Sequence, residues 1–164
     1  MDPLLIKQLK IGNEYLNKGE IGLAQNEFKS VLEKDPNNEF ALNLLGMSYL
    51  RDSQAEKAVS YLIRALEVNN KDPETHNNLG LAYKDLKQLN DALVCFQRSL
   101  QLERQQPITL NNLGNIYAAL EEHHLAAKHF EAALKINPNF PEALCNFAQA
   151  LKALSIMEVA FQVI

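Results

Sequence analysis

The side chains best suited to bind a partner in this 164-residue chain are asparagines that recur at regular spacing. They are Asn13, Asn43, Asn77, Asn78, Asn111, Asn112, Asn115 and Asn146, and we call them the asparagine ladder. Each carboxamide offers two N–H donors and an acceptor oxygen, so a row of them can pair with both sides of a peptide unit. The ladder therefore predicts binding of an extended polypeptide backbone. The alternative, that these amides only bond a neighbouring helix or solvate a surface, stays open on the residues alone.

The ladder belongs to an internal repeat of 34 residues. Glycine recurs at 12, 46, 80 and 114, and Ala148 continues the series. Tyrosine follows each glycine by three residues, and alanine and a large apolar residue recur further along each block. The blocks are 5–38, 39–72, 73–106, 107–140 and a partial 141–164, and we number positions within the repeat from the first residue of each. Such exact repetition predicts one structural unit stacked on itself, an architecture that works by presenting surface to a partner.

Each block contains two stretches of apolar residues with helical spacing, separated by a short polar break. The breaks are Lys18-Gly19-Glu20, Asp52-Ser53-Gln54, Lys87-Gln88 and Glu121-Glu122-His123-His124. Pro73, Pro107 and Pro141 share one repeat position and are predicted to lie in the first turn of a helix, where a proline loses no N–H that the helix needs. Asp2 is predicted to cap the first helix of the chain, and Pro3 to be its first residue. We expect the recurrent glycine and alanine to let paired helices approach closely, with the rings of positions 11 and 24 filling the space.

These features resemble the tetratricopeptide repeat (TPR), a helix–turn–helix unit with Leu-Gly-x-x-Tyr, then Ala-x-x-x-Phe, then Pro. The matches are Leu45-Gly46…Tyr49, Leu79-Gly80…Tyr83 and Leu113-Gly114…Tyr117, with Ile11-Gly12…Tyr15 a near match. The later proline is present as Pro36 and Pro138, whereas Asn70 and Arg104 replace it in the middle blocks. The resemblance implies an all-α fold, a right-handed α-solenoid of about four and a half repeats, in a single domain over 1–164.

In the family that this chain resembles, the first helix of each repeat lines a concave groove that binds extended peptide segments. The ladder falls at repeat positions 5, 6 and 9, which we expect to face that groove. It resembles the asparagines of the superhelical repeats of O-linked N-acetylglucosamine transferase and kinesin light chain, which hold the main chain of a bound polypeptide. The resemblance thus implies a non-catalytic scaffold that binds a protein or peptide partner.

The carboxylate clamp of the chaperone-binding members of the family is not reproduced here. That clamp consists, in order, of Lys, Asn, Asn, Lys and Arg. The corresponding residues of this chain are, in the same order, Leu9, Asn13, Leu44, Glu74 and Asn78, so only the first asparagine is kept. Recognition of a chaperone C-terminal carboxylate is therefore not expected, since the groove has few basic groups to hold an anion.

Apolar residues near the N-terminal end of the groove suggest a shallow pocket for partner side chains. Leu9, Phe40, Leu44 and Met47 are its candidates. Equally, they could only cover the edge of the first repeat.

No catalytic, cofactor or metal chemistry is predicted. His124 and His129 are five residues apart and so point to different helix faces, whereas two metal ligands on one face need a spacing of four. Cys95 and Cys145 lie in no nucleophile motif, and the glycines belong to the repeat or to the first turn. We expect no enzymatic activity.

The composition is that of a globular chain, with a formal charge of −4 spread over all repeats. No basic stripe predicts nucleic-acid binding, and no apolar run approaches the roughly 20 residues that span a bilayer. A cytoplasmic location is favoured by two features. The two cysteines occupy different repeat positions, and the N-terminal residues do not resemble a signal peptide.

The last block, which we expect to stop inside a second helix, is strongly apolar. Leu154, Ile156, Met157, Val159, Phe161, Val163 and Ile164 would leave an uncapped patch. Two alternatives follow. Either the repeats are the substrate-recruiting arm of a larger enzyme such as a glycosyltransferase, or the chain self-associates through this C-terminal helix.

Overall fold

The computed structural model describes residues 2–162 of the backbone and the side chains of residues 2–156. Within this range the chain forms nine helices and no strand, which confirms the all-α repeat fold. The helices are α1 (Pro3–Asn17), α2 (Ile21–Lys34), α3 (Glu39–Arg51), α4 (Ala55–Val68), α5 (Pro73–Asp85), α6 (Leu89–Leu102), α7 (Pro107–Ala119), α8 (His123–Ile136) and α9 (Pro141–Gln162).

The helices group into two compact units that divide between Gln88 and Leu89. Unit 1 contains α1 to α5, and unit 2 contains α6 to α9. The odd-numbered helices, which open the predicted repeats, are called A helices below, and the even-numbered ones B helices. That the whole chain forms one domain stays a prediction.

Side-chain caps and prolines fix where the A helices begin. The Asp2 carboxylate accepts a hydrogen bond from the backbone N–H of Leu4 at 2.9 Å, and Pro3 is the first residue of α1, as the sequence predicts. Asn38 caps α3 through the N–H of Ala41 at 3.1 Å. Asp72 caps α5 through the N–H of Thr75 at 3.0 Å. Because these caps satisfy otherwise unpaired N–H groups, the loops preceding the helices can be short.

Four A-to-B turns share one backbone conformation at repeat position 15. Gly19, Ser53, Lys87 and Glu121 all have φ between 56° and 78°, in the left-handed region. Only the first turn has glycine here, which adopts a positive φ without strain. Ser53, Lys87 and Glu121 in the other three turns adopt the same conformation, which residues with a side chain disfavour. The predicted breaks are therefore confirmed, except that α8 already begins at His123, so the fourth break is shorter than expected.

In the first, second and fourth repeats, the glycine of the A helix lies against a large side chain of the B helix. A Cβ at Gly12 would lie 2.5 Å from Cε1 of Phe28, and a Cβ at Gly114 would lie 2.5 Å from Cε1 of Phe130. At Gly46 the neighbour is Leu62, with Cγ at 2.6 Å. The side chain that fills the space beside the glycine thus comes from position 24, whereas tyrosine at position 11 was also expected to do so.

Within each unit the A helices also contact one another from repeat to repeat. In unit 1, α3 packs against both α1 and α5, and in unit 2, α7 packs against α9. The guanidinium of Arg51 donates a hydrogen bond of 2.8 Å to the carbonyl of Leu16 and so joins the ends of α3 and α1. Within each unit, neighbouring A helices therefore lie in direct contact.

The last helix corrects one expectation. α9 runs without a turn from Pro141 to Gln162, so the second helix predicted for the partial repeat does not start where the earlier repeats turn. The reason is local, because Leu154, Ser155 and Ile156 supply neither a glycine nor the polar break found in the other blocks. Leu154 packs against the cluster of Ala126, Phe130 and Ala150. The side chains of Met157, Val159, Phe161, Val163 and Ile164, on which the predicted apolar patch also depends, lie outside the described residues.

The glycine contact predicts that Gly114→Ala destabilises the protein even though alanine is the better helix former. The added methyl would collide with the buried Phe130 ring, and overpacking of this kind costs about 1–3 kcal/mol, more than the gain in helix propensity of about 1 kcal/mol. Urea denaturation should show a lower midpoint. Gly22→Ala is the matched control, because no atom lies within 4 Å of its Cβ and its midpoint should hold or rise. A Gly114→Ala protein as stable as wild type would refute the proposed role of the contact.

Candidate functional site

The asparagine ladder is partly engaged in hydrogen bonds between A helices. In unit 1, Nδ2 of Asn78 on α5 donates to Oδ1 of Asn43 on α3 at 3.0 Å. In unit 2, Nδ2 of Asn146 on α9 donates to Oδ1 of Asn111 on α7, also at 3.0 Å. Both bonds join residues 35 apart, position 5 of one repeat to position 6 of the next. We call them the asparagine bridges.

The bridges separate the ladder into members of different exposure. Asn78, Asn111 and Asn112 are buried, with at most 8% of their surface exposed. Half-buried members are Asn43, Asn77, Asn115 and Asn146, whereas Asn13 is exposed. A buried carboxamide without a hydrogen bond would cost free energy, so the bridges explain how Asn78 and Asn111 are accommodated next to the core.

A cleft of about 290 Å³ lies beside the bridge of unit 1, and we call it the unit 1 cleft. Its walls come from the start of α3, from the end of α4 and from the start of α5 with the turn before it. The lining residues are Glu39, Phe40, Asn43, Ala65, Asn69, Asp72, Glu74 and Thr75. Of the predicted apolar pocket only Phe40 lies here, 53% exposed. Leu9 is buried, and Leu44 and Met47 are half-buried outside the lining of this cleft.

A second cleft, of about 230 Å³, lies beside the bridge of unit 2. Three carboxamides line this unit 2 cleft, those of Asn115, Asn146 and Gln149. The other lining residues are Ala118, His123, Phe130, Ala150 and Ala153. Of the side chains that the structure describes, no Asp, Glu, Lys or Arg lines this cleft, and its carboxamides are hydrogen-bonding groups that can serve a polypeptide backbone.

Acidic groups dominate the electrostatics of the unit 1 cleft. Burial, with a smaller contribution from the nearby Asp72 carboxylate, raises the pKa of Glu74 above its usual value. Asp72 also accepts from both the backbone N–H and the hydroxyl of Thr75. Sequence reasoning missed Glu39 and Asp72 as cleft residues. Their location in the sequence could have revealed them. Glu39 is the first residue of α3 and Asp72 precedes α5, and both helices also carry asparagines that were predicted to face the groove.

The histidines and cysteines make local contacts instead of a common centre. The imidazole of His129 stacks on the Tyr117 ring, with centroids 5.2 Å apart and planes at 4°. Among the described residues no group of three or more His, Cys, Asp or Glu side chains could hold a metal ion. Cys95 and Cys145 are free thiols, and burial, with the nearby Asp91, raises the pKa of Cys95 to about 11. This thiol is therefore protonated at neutral pH and a poor nucleophile.

In the described part of the chain, no helix combines the length and apolar character needed to cross a membrane.

Helix pairs that repeat along the chain, with a cleft beside an asparagine bridge in each unit, are typical of a helical-repeat interaction scaffold, and comparison with known proteins places the chain in a family. Tetratricopeptide repeat profiles match residues 73–106 and 107–140, in the register deduced above, and residues 27–60 in a shifted register. The chain belongs to the tetratricopeptide repeat family. This fold is generally a protein-interaction module that binds protein or peptide partners.

Solved structures agree with this assignment. The crystal structure of MamA is similar over 99% of this chain and 88% of that protein, at 25% identity and a TM-score of 0.81. Cut9, in the APC/C hetero-tetramer Cut9–Hcn1, matches 90% of this chain at 25% identity and a TM-score of 0.85, but this covers only 30% of the Cut9 chain. The first TPR of Spaghetti (RPAP3), bound to the HSP90 peptide SRMEEVD, shares the fold over 71% of this chain and 93% of that one, at 24% identity and a TM-score of 0.69. No curated protein matches the sequence.

The stacked His129 predicts a pH dependence of stability. Burial, and secondarily the neighbouring Lys128, lowers the pKa of His129 below its usual value. The unfolded chain therefore binds a proton more readily than the folded one, so this residue reduces stability as the pH falls below about 6.5. His129→Tyr, which copies Tyr61 at the same repeat position, should lessen the loss of stability between about pH 7.5 and about pH 5 in urea denaturation. His124→Gln, at an exposed site, is the control. Equal pH profiles for wild type and His129→Tyr would contradict the assignment.

Proposed function

We propose that this protein is a non-catalytic scaffold that binds an extended peptide segment of a partner through the asparagine ladder. The observation that carries the proposal is that each unit has a cleft beside an asparagine bridge, and that one residue of the bridge lines it. Asn43 does so in unit 1, and Asn146 does so in unit 2.

A bridge uses only part of the hydrogen-bonding capacity of its two amides. Asn43 accepts through Oδ1, which leaves both of its N–H groups for carbonyl oxygens of a ligand. Asn146 donates one N–H, which leaves its oxygen and a second N–H. A peptide unit carries one donor and one acceptor, so the remaining groups have the chemistry that a bound backbone requires.

The bridges also favour binding by holding these amides in place. An asparagine on an exposed helix face samples several rotamers, and fixing it upon binding costs about 0.5–1.5 kcal/mol per side chain. Asn43 and Asn146 are already oriented by their bonds to the neighbouring A helix. The two interpretations of the ladder, structural and functional, are thus compatible. Buried Asn78 and Asn111 orient their bridge partners Asn43 and Asn146, which contact the ligand.

The related structures support a protein or peptide as the partner class. Cut9 occurs in a hetero-tetramer with Hcn1, and the first TPR of Spaghetti holds an HSP90 peptide. The acidic end of that peptide would meet carboxylates at the unit 1 cleft of the present chain. We therefore propose a different peptide ligand. Roles as the recruiting arm of a larger enzyme, or in self-association through α9, stay predictions from the sequence.

The test is to select peptides from a random-peptide display library on the immobilised full chain and to measure their affinity by fluorescence anisotropy. Asn69→Ala/Asn115→Ala removes one amide from the lining of each cleft, and neither of these amides belongs to an asparagine bridge. We expect an increase in Kd of about tenfold or more, since each hydrogen bond contributes about 1 kcal/mol net. Asn43→Ala and Asn78→Ala are less suitable, because each removes the bridge between these two residues and so mixes stability with binding.

Asn26→Ala/Asn90→Ala is the matched control, because it removes two exposed asparagines, one from each unit, on B helices. Its Kd should equal that of wild type, and circular dichroism should show all variants folded. A cleft variant that binds as tightly as the control would place the binding surface elsewhere on the molecule. Failure to select any peptide would contradict the proposed function itself.

A further inference from the structure

The unit 1 cleft has a chemical character that the asparagine ladder does not explain. Besides the amides of Asn43 and Asn69, it combines an exposed aromatic ring with three carboxylates and has no basic lining residue. Phe40 supplies the ring, and Glu39, Asp72 and Glu74 supply the carboxylates. A backbone-binding groove needs neither feature.

We propose that this cleft binds a cationic side chain, best an arginine, of the bound peptide, so that the protein selects its partners at one position. This inference rests on the proposed function and deepens it. The guanidinium lies among the carboxylates of Glu39 and Glu74, and its plane and aliphatic stem pack on Phe40.

Charge complementarity is the first argument. Within residues 2–156 no basic side chain forms an ion pair with Glu39, Asp72 or Glu74. The carboxylate of Glu74 is also partly desolvated and lies near a like charge, which raises its pKa. A ligand cation would relieve that repulsion, and charge-assisted hydrogen bonds of this kind are about twice as strong as neutral ones.

The exposed aromatic ring is the second argument. Acidic residues in the first turn of a helix also interact favourably with the helix dipole, which accounts for Glu39 and Glu74 without a ligand. It does not account for Phe40, which lies 53% exposed next to Glu39 at the start of α3. Arginine suits both features, because its planar guanidinium stacks on aromatic faces and pairs with carboxylates in a bidentate manner.

The geometry also fits the neighbouring amides. Asn43 lines the same cleft and is held by the bridge to Asn78, so a backbone bound there passes directly beside the carboxylates. One peptide residue can then place its main chain on Asn43 and its side chain in the cleft. Arginine has the long, flexible stem that such a reach needs.

The experiment uses the peptides selected on the full chain and begins with their sequences. We expect one position to be enriched in arginine, with lysine second. In the best peptide, replacing this arginine by citrulline, which keeps the shape and removes the charge, should raise Kd by about tenfold. Glu39→Gln/Glu74→Gln should raise Kd for the arginine peptide to a similar extent, and citrulline should then cause little further loss.

Two further variants separate the cleft from general electrostatics and from misfolding. Glu33→Gln/Glu67→Gln removes the same charge from exposed positions of the same unit and should leave Kd unchanged. Phe40→Ala tests the aromatic wall without changing charge, and it should weaken the arginine peptide more than the citrulline peptide.

Three results would overturn the inference. They are selected peptides with no enriched basic position, an equal loss in the control variant, and a citrulline effect that persists undiminished in the Glu39→Gln/Glu74→Gln protein. In each of these cases peptide binding itself stands. If no peptide is selected at all, the proposed function fails and the inference fails with it.

Discussion

The close approach of paired helices at the recurrent glycine is the constraint on which the rest of this structure depends. A Cβ at Gly12, Gly46 or Gly114 would lie within 2.6 Å of a side-chain carbon of Phe28, Leu62 or Phe130, so any larger residue would force these buried neighbours to shift. This contact fixes the distance between the A and B helices of a repeat. From one repeat to the next, direct contacts between A helices set the spacing within each unit, α1 with α3 and α3 with α5 in unit 1 and α7 with α9 in unit 2. Glycine in mid-helix costs about 1 kcal/mol, so its recurrence reflects packing and not helix formation.

The asparagine bridges follow from that spacing. A hydrogen bond of 3.0 Å between Asn43 and Asn78, or between Asn111 and Asn146, requires two A helices at a defined separation and in register. The bridges satisfy amides that burial would otherwise leave unpaired, and they orient the amides that line the clefts. In this account one set of side chains stabilises the stack and prepares a surface for a polypeptide backbone. A preorganised surface of this kind binds with a smaller loss of side-chain entropy.

Much of the fold could be predicted from the sequence, because its signals are local and repeated. The period of 34 residues, the helix caps and the first-turn prolines each act within a few residues, and together they predicted the helices and the A-to-B turns. The continuous α9 was missed, since block position alone suggested a turn where Leu154, Ser155 and Ile156 carry no turn signal.

The candidate site was less predictable, because it depends on distances between helices. The ladder could be predicted from repeat positions. The same positions did not reveal that Asn78 and Asn111 are buried, or that Asn43 and Asn146 line clefts. Nor could it be read from repeat positions that Phe40 would line a cleft together with carboxylates from α3, from α5 and from the turn before α5. Side chains that converge from separate helices leave no contiguous pattern in the sequence.

The central claim is that carboxamides of the ladder bind the main chain of a peptide. It is tested most directly by isothermal titration of a selected peptide and of analogues in which single backbone amides are replaced by esters. An ester removes the N–H donor and weakens the carbonyl acceptor while keeping the side chain. We predict that at least one ester lowers affinity about tenfold, more than alanine substitution at most side chains does. Esters without effect, in a peptide whose binding is abolished by truncating side chains, would contradict the account.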